Sequence, residues 1–341
     1  MDTPPPRRPT LAEVAERAGV SRSAASRVIN NAQYVSGAKR KAVERAVREL
    51  GYVPNPTARA LVTRQVGAVV LAVSHDDPAA LADPFYVQVM VGVSAALSKS
   101  EFELMLVLAD SQQGQQRLQR VLRSGRADGV MIVAVRGDDL LGRLSGATAV
   151  PVVYCGRPLG AEPRWYVDAD NRGGARLATE HLIGTGRRHV AAIIGPLDTE
   201  VAVVRHSGFR EAMAVAGLDP GMVEAGDFSE ESGAAAMTRL LAAHPLIDGV
   251  FAASDNMAAG ALRALRAHGR SVPGDVAVVG FDDLMISRHT DPTLTTVHQP
   301  IRQLGHEMAR MLLAVIDGDD PSPLILPTRL VVRDSAPATA H

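Results

Sequence analysis

Residues Thr10–Asn31 read TLAEVAERAGVSRSAASRVINN. Past Ala32–Tyr34 the chain continues VSGAKRKAVERAVREL (Val35–Leu50) and GYVPNPTARALVTR (Gly51–Arg64). Leu11, Val14, Ala15 and Ala18 recur at i, i+3, i+4 and i+7, one apolar helical face. Thr10 with Glu13 three residues on forms a capping box that fixes the start. Gly19 supplies the left-handed residue that stops the helix. Ser21 caps a second helix in which Ala25, Val28 and Ile29 face inward. The connection is about three residues long, the spacing of a helix-turn-helix. Ser36 is expected to cap a third helix with Val43, Ala46, Val47 and Leu50 as its buried stripe and Gly51 as its stop.

Charge is divided along the chain in the same way. Residues 1–64 carry a net of +7 and the remaining 277 residues a net of −8, hidden within a total of −1. A basic head neutralises phosphates, whereas an acidic body is repelled by them. The start of the chain, Pro4-Pro5-Pro6-Arg7-Arg8-Pro9, has no apolar run and reads as a disordered arm, with Arg7 and Arg8 available to a phosphate backbone.

The spacing of Thr10-Leu11, Val14-Ala15, Ala18-Gly19-Val20-Ser21, Ser26-Arg27-Val28, Asn30, Val35-Ser36 and Leu50-Gly51-Tyr52-x-Pro54-Asn55 resembles the LacI/GalR family of bacterial transcription regulators, and the resemblance extends over nearly the whole chain. In a helix-turn-helix the second helix enters the major groove with its first residues on base edges. Those are Arg22, Ser23 and Ala24, with Ser26 and Arg27 a turn later. An arginine pairs bidentately with guanine, which makes Arg22 and Arg27 the candidate base readers. The alternative for any one arginine is a solvated surface charge. Thr10, Ser21, Ser26, Asn30 and Tyr34 are expected on DNA, the last four on phosphates that set register without reading sequence. Asn55–Arg64 would be a hinge. It is about two turns long and marginal alone, and by resemblance it folds only when two copies pack on DNA. Leu61 would then wedge into the minor groove, kinking the duplex, Ala58 would allow close approach to the groove, and Asn55 is also expected on DNA.

The remainder, at 46% hydrophobic and 21% charged residues over the whole chain, has globular composition. A single cysteine, Cys155, excludes an internal disulfide. Strand-like runs at 66–73, 103–108, 130–135, 150–154, 190–195, 248–253 and 276–280 alternate with helical stretches at 84–99, 113–125, 171–184, 204–216 and 257–268; residues 140–144 separate two of the strands. Such alternation implies parallel sheets with right-handed crossovers. The fold class is therefore a small all-α headpiece plus an α/β core of two doubly wound lobes, similar to periplasmic sugar-binding proteins. The expected divisions are an arm at 1–9, a headpiece at 10–54, a hinge at 55–64, an effector-binding and dimerisation domain at 65–334, and a tail at 335–341. By resemblance the first lobe takes 65–168 plus 300–328, and the second 169–299 plus 329–334.

Ligands bind such sheets at the carboxyl ends of their strands. Residues matching the family's effector motifs stand there: Phe85, Arg205, Phe228, Ser254, Asp282 and Gln299. Arginine forks, carboxylate acceptors and aromatic faces suit a polyhydroxylated ligand. A sugar or sugar derivative is expected, with a nucleobase or another small metabolite open because Gly156, Val133 and Ala134 make the neighbouring wall apolar. Each residue also has a plainer role: Arg205 with Asp282 as a structural ion pair, Phe85 as core, Asp255 as the cap of the following helix.

No metal or cofactor is expected, and no nucleophile elbow, phosphate-cradling loop or His-Glu-x-x-His motif appears. A transport protein or a sugar-modifying enzyme is the alternative class. The first would need a signal peptide and the second a catalytic constellation. The expectation is a cytoplasmic, homodimeric, effector-controlled repressor of a near-palindromic operator. A corepressor would need the same parts. By resemblance the dimer forms around Pro84–Lys99, and no heptad follows Val331 to support a tetramer.

Overall fold

The computed structural model describes residues 9–29, 35–52, 65–73, 83–109, 111–133, 137 and 148–338. It divides into two compact units, one ending at Gly67 and one beginning at Ala68.

The first unit is helical: α1 Leu11–Arg17, α2 Arg22–Ile29 and α3 Gly37–Leu50. Thr10 Oγ1 accepts from the Glu13 amide and the Glu13 carboxylate accepts from the Thr10 amide, closing the capping box. Gly19 and Gly51 have φ of +65° and +61°, the left-handed stops that their positions demanded. Val14, Ala15, Ala25, Val28, Val43 and Ala46 form the core, with Val47 and Leu50 packed half-buried on it. One expectation fails: Ser36 stands at the N-cap of α3 but makes no capping hydrogen bond.

The second unit contains two six-stranded sheets. In the first, β1 Ala68–Val73, β2 Glu103–Leu108, β3 Gly129–Val133, β4 Val152–Cys155, β5 Tyr166–Ala169 and β11 Leu324–Leu326 lie in the order β11-β5-β4-β3-β1-β2. In the second, β6 Val190–Ile194, β7 Val223–Ala225, β8 Gly249–Ala252, β9 Ala277–Asp282, β10 Thr295–His298 and β12 Arg329–Val331 lie in the order β12-β10-β9-β8-β6-β7. The sheets share one winding. Every pairing is parallel except β10 with β12.

The helices are α4 Pro84–Leu97, α5 Gln112–Arg123, α6 Asn171–Gly184, α7 Glu200–Val215, α8 Glu230–Ala243, α9 Asp255–Ala267 and α10 Ile301–Ile316. Helices cover both faces of each sheet, which is why β3, β6, β8 and β9 are buried along their whole length and read as apolar runs, β9 up to its closing Asp282. In the first lobe Val69, Leu71, Val73 and Met131 meet α4 and α10, while Val70, Ala72, Val130 and Ile132 meet Leu118 and Leu122 of α5. The helix pair α4/α10 packs backbone to backbone: a Cβ on Gly92 would lie 2.0 Å from the Arg302 carbonyl oxygen, and one on Gly305 2.1 Å from that of Val89.

The chain passes between the two sheets three times, after β5, after β10 and after β11. Several expected boundaries shift. Helix α7 begins at Glu200, a turn before Val204, because β-branched Val201, Val203 and Val204 obscure its first turn in the sequence. Helix α8 and the short strands β5, β7, β10, β11 and β12 were not anticipated as elements. Residues 140–144 lie outside the described residues.

Candidate functional site

On α2 the side chains of Arg22, Ser23 and Arg27 are exposed and Ser26 is half-buried. Ser21 Oγ accepts from the Ala24 amide at 3.2 Å and lies 3.0 Å from Ser23 Oγ, so this hydroxyl is engaged in starting the helix. Arg27 Nε reaches back to the Ser23 carbonyl at 3.4 Å. Ala24 is only 8% exposed and belongs to the core side of α2, which removes it from the expected base-edge surface. Thr10 is exposed and held in its capping box. Asn30, Tyr34, Asn55, Ala58 and Leu61, like Arg7 and Arg8, lie outside the described residues.

In the second unit three of the expected residues are directly joined. Asp282 closes β9 and Arg205 lies in the middle of α7, both buried; Gln299 follows β10 and is buried too. Asp282 Oδ1 accepts from Arg205 Nη2 at 3.2 Å and from Gln299 Nε2 at 2.7 Å. Arg205 Nε donates to Asn171 Oδ1 at 2.9 Å and Nη1 to the Ala253 carbonyl at 2.5 Å, with the guanidinium 3.7 Å over the Phe281 ring. A guanidinium has five N–H donors and a carboxylate two oxygens. These bonds therefore leave donors of Arg205 and the second oxygen of Asp282 for a ligand. The ion-pair role expected as an alternative is present together with that capacity. Burial, followed by the nearby Asp83, pushes the Asp282 carboxyl up to about 7 against the pull of Arg205. Burial lowers the pKa of Arg205, opposed by Asp282 and Asp168.

Phe85 lies in the first turn of α4, half-buried and edge-on to Tyr86 at 5.5 Å. Asp83 caps that helix through the Phe85 amide at 2.8 Å and accepts from Asn256 Nδ2 at 3.2 Å, joining the lobes across the cleft. Phe228, after β7, has φ of +73° and its ring lies on Gly195 at the end of β6, where a Cβ would meet Cζ at 2.2 Å. Ser254 caps α9, accepting from the Met257 amide at 3.2 Å, and is 3% exposed. This corrects the expectation for Asp255, which is fully buried and accepts instead from the Leu284 amide at 2.7 Å and Thr296 Oγ1 at 2.5 Å. Burial raises its pKa well above the carboxylate range, and Asp282 adds to the shift. Phe228 and Ser254 make no hydrogen bond to the Arg205–Asp282–Gln299 trio; their strand ends bring them to the same side of the sheet.

Four further polar residues at the cleft escaped the sequence reading. Asp168 is the next-to-last residue of β5, with Oδ1 accepting from the Ala169 amide at 2.8 Å and from Asn171 Nδ2 at 2.9 Å. Burial raises its pKa. Asn171 thus links Asp168 of the first lobe to Arg205 of the second. Arg157, just after β4, pairs with Glu200 of the other lobe at 3.6 Å, and its Nε is buried without a hydrogen-bond partner. The available signal was positional for Arg157 and Asn171, each two places beyond a strand; Asp168, inside β5, and Glu200, six residues past β6, carried no such signal. Burial, reinforced by Asp168, pushes the Cys155 thiol up to about 12, so it stays protonated. Among the described residues no group of three His, Cys, Asp or Glu is placed to hold a metal ion, and no helix is long and apolar enough to cross a membrane.

Residues 10–55 match the sequence family described as bacterial regulatory proteins, lacI family, and residues 179–336 the one described as a periplasmic binding protein-like domain. The HTH-type transcriptional regulator CelR of Thermobifida fusca is 48% identical over 335 residues, covering 96% of this chain and 98% of its own. The solved complex of the transcriptional regulator CelR with cellobiose superposes with a TM-score of 0.77 at 46% identity, covering 96% of this chain and all of that one. The lac repressor dimer bound to operator and the anti-inducer ONPF gives a TM-score of 0.83 at 29% identity, covering 97% and 100%.

Proposed function

The chain belongs to the lacI family of bacterial regulatory proteins, and on that footing we propose that it is a cytoplasmic homodimer whose operator affinity is set by a neutral sugar of the cellobiose class bound between its lobes. As a lacI-family member it is a sequence-specific DNA-binding transcriptional regulator; the proposed sign is repression, without enzymatic turnover. The working parts are a headpiece at 10–54, a hinge at 55–64 and an effector domain at 65–334. Arg22 and Arg27 read bases, Ser21, Ser26, Asn30 and Tyr34 hold phosphates, and Leu61 wedges into the minor groove beside Asn55 and Ala58.

The observation that carries the effector reading is the buried Arg205–Asp282–Gln299 trio with an accepting oxygen of Asp282 unengaged. A sugar hydroxyl pair would donate to that oxygen and accept from Arg205, with Phe85 and Phe228 as faces for the ring. The cleft also carries Asp83, Asp168 and Glu200 against Arg205 and Arg157. That excess of carboxylates disfavours a sugar phosphate and favours an uncharged ligand. The cellobiose held by CelR is such a ligand. For the dimer, Val87 and Val91 on α4 and Leu104 and Leu106 on β2 are exposed apolar side chains of the first lobe and form the proposed contact. Sugar binding changes the angle between the lobes, displaces the two hinges from each other and lowers operator affinity by the difference in sugar affinity between the two states, about 1–3 kcal/mol.

The test begins with selection of bound duplexes from a random pool. A palindrome with a central deformable step is expected, and Arg27→Ala should relax one symmetric base pair of it by about 1–3 kcal/mol while leaving salt-sensitive binding. The recovered duplex is then titrated with cellobiose, glucose, ribose and a sugar phosphate. Release by cellobiose at the lowest concentration supports the reading. Release by the phosphate alone, or by none of them, overturns it.

A further inference from the structure

The chain leaves β9 through three consecutive residues held in three different surroundings. Asp282 closes the strand with its carboxylate on Arg205 and Gln299. Leu284, two places on, is buried in the core of the other lobe with Tyr86, Val89, Ile301 and Leu304. Asp283 stands between them. Asp282 and Asp283 have φ of +109° and +55°, two successive non-glycine residues on the positive side. Residues with a Cβ seldom adopt such angles, and two together persist only where their surroundings enforce them.

The Asp283 side chain supplies that enforcement. It is 5% exposed and both of its oxygens are engaged. Oδ1 accepts from Arg333 Nη2 at 2.5 Å, and Oδ2 lies 3.0 Å from His298 Nδ1 with Arg288 Nη2 at 4.0 Å. Arg333, which follows β12, is itself fixed. Its Nη1 donates to the Leu294 carbonyl at 2.8 Å and to Ser287 Oγ at 3.1 Å, and its amide donates to Thr295 Oγ1 at 2.8 Å. One guanidinium thus ties the residue after β9 to the one-turn helix Met285–Arg288 and to the start of β10. His298 is the last residue of β10 and precedes Gln299. The ends of β9 and β10 are therefore joined twice, by Asp282 with Gln299 at 2.7 Å and by Asp283 with His298 at 3.0 Å. Burial would raise the Asp283 pKa, but the hydrogen bond and charge of Arg333, then His298, bring it below the ordinary carboxylate value. Freed from this cluster, the turn could relax to negative φ and carry the Asp282 carboxylate off Arg205, since one peptide bond separates the two residues. Losing His298 from Asp283 would loosen Gln299 in the same way.

We infer that Asp283, gripped by Arg333 and His298, is a positioning residue for effector recognition. It holds the Asp282–Asp283 turn in its strained form and so keeps the Asp282 carboxylate and the Gln299 amide aimed into the cleft, without touching the ligand itself. The inference rests on the reading of the cleft as the effector site and adds to it the device that shapes it.

Cellobiose binding to the full-length protein, measured by calorimetry, tests this. Asp283→Asn keeps the size of the side chain, an acceptor and the tolerance of positive φ, but loses the charge that Arg333 grips; affinity should fall about tenfold. Asp283→Gly accepts φ of +55° without strain and should fold, yet lose at least as much. In an Asp282→Asn background the same Asp283→Asn change should cost no more than about twofold further, because the charge to be placed is already gone. Arg333→Lys should retain most of the affinity and Arg333→Gln lose about tenfold, since the cluster needs its cation. Wild-type affinity in Asp283→Gly overturns the inference, because the shape of the turn would then suffice. Equal losses from Asp283→Asn in the two backgrounds also overturn it and assign Asp283 to the fold or to direct contact with the ligand. A wild type that binds no cellobiose overturns instead the effector reading on which the inference rests.

Discussion

The two lobes share one strand order and differ in what stands at and just past their strand ends. In the second lobe β6, β7 and β10 run into Gly195, Gly226 and Gln299, Ser254 stands two places past β8 and β9 closes on Asp282; among the described residues every non-glycine with positive φ lies there: Phe228, Asp282 and Asp283. Such conformations cost about 1–3 kcal/mol each and persist only where their surroundings enforce them. In the first lobe β1 to β5 close on Val73, Leu108, Val133, Cys155 and Ala169, and β2, β4 and β5 run into Ala109, Gly156 and Asp170, with Arg157, Asp168 and the Asp83–Phe85 turn as its polar and aromatic additions. The difference shows that winding fixes where a site lies, whereas its chemistry resides in the few residues past each strand. The second lobe has the strained, hydrogen-bonded clamp; the first provides a wall and a latch.

If that division of labour holds, the largest effect follows Asp282→Asn. The substitution keeps an acceptor beside Arg205 and Gln299 but removes the charge, and sugar affinity should fall about 100-fold, near 2.7 kcal/mol, with operator binding intact. Calorimetry with cellobiose and anisotropy with operator check both halves. An unchanged sugar affinity would place recognition in the first lobe instead. Phe85→Leu, the matching change in the first lobe, removes an aromatic face but keeps the bulk, and should cost about three- to tenfold in the same titration. A loss as large as that of Asp282→Asn would erase the contrast.

The smallest effect is one of pH. A carboxyl raised to about 7 by burial is held protonated by the fold. Its folded pKa lies above its unfolded one, so the folded state binds the extra proton between about pH 4 and 7, and this group's contribution to stability declines as pH rises through that window. A sugar hydroxyl needs the ionised acceptor. Affinity should therefore rise with pH and level off above 7, by up to about tenfold between pH 6 and 8. A flat profile would mean that Asp282 is already ionised in the unliganded cleft.

Local signals made much of this legible in the sequence. The Thr10–Glu13 box, the stops at Gly19 and Gly51 and the apolar run at 68–73 each depend on neighbours within a few residues. Helix α8 was missed although Ser229 caps it and Ala236, Met237, Leu240 and Leu241 form its stripe, because its alanines give weak apolar contrast. Strands of three or four residues, such as β5, β7 and β10, are too short for periodicity to register. Asp255 was misread because two caps stand side by side in Ser254-Asp255, and the partners that decide between them, Leu284 and Thr296, are 29 and 41 residues away. The effector residues were legible through resemblance alone, since 77 residues separate Arg205 from Asp282.

The three passages of the chain between the sheets have a consequence for how the effector domain comes apart. No single cut releases either lobe as a continuous fragment, since each is assembled from separated stretches of chain. Neither lobe can therefore fold ahead of the other from its own uninterrupted segment, and loosening one pulls on three backbone tethers of its neighbour. Residues from Ala68 onward should melt as one cooperative block, a single calorimetric transition that a cleft ligand moves as a whole.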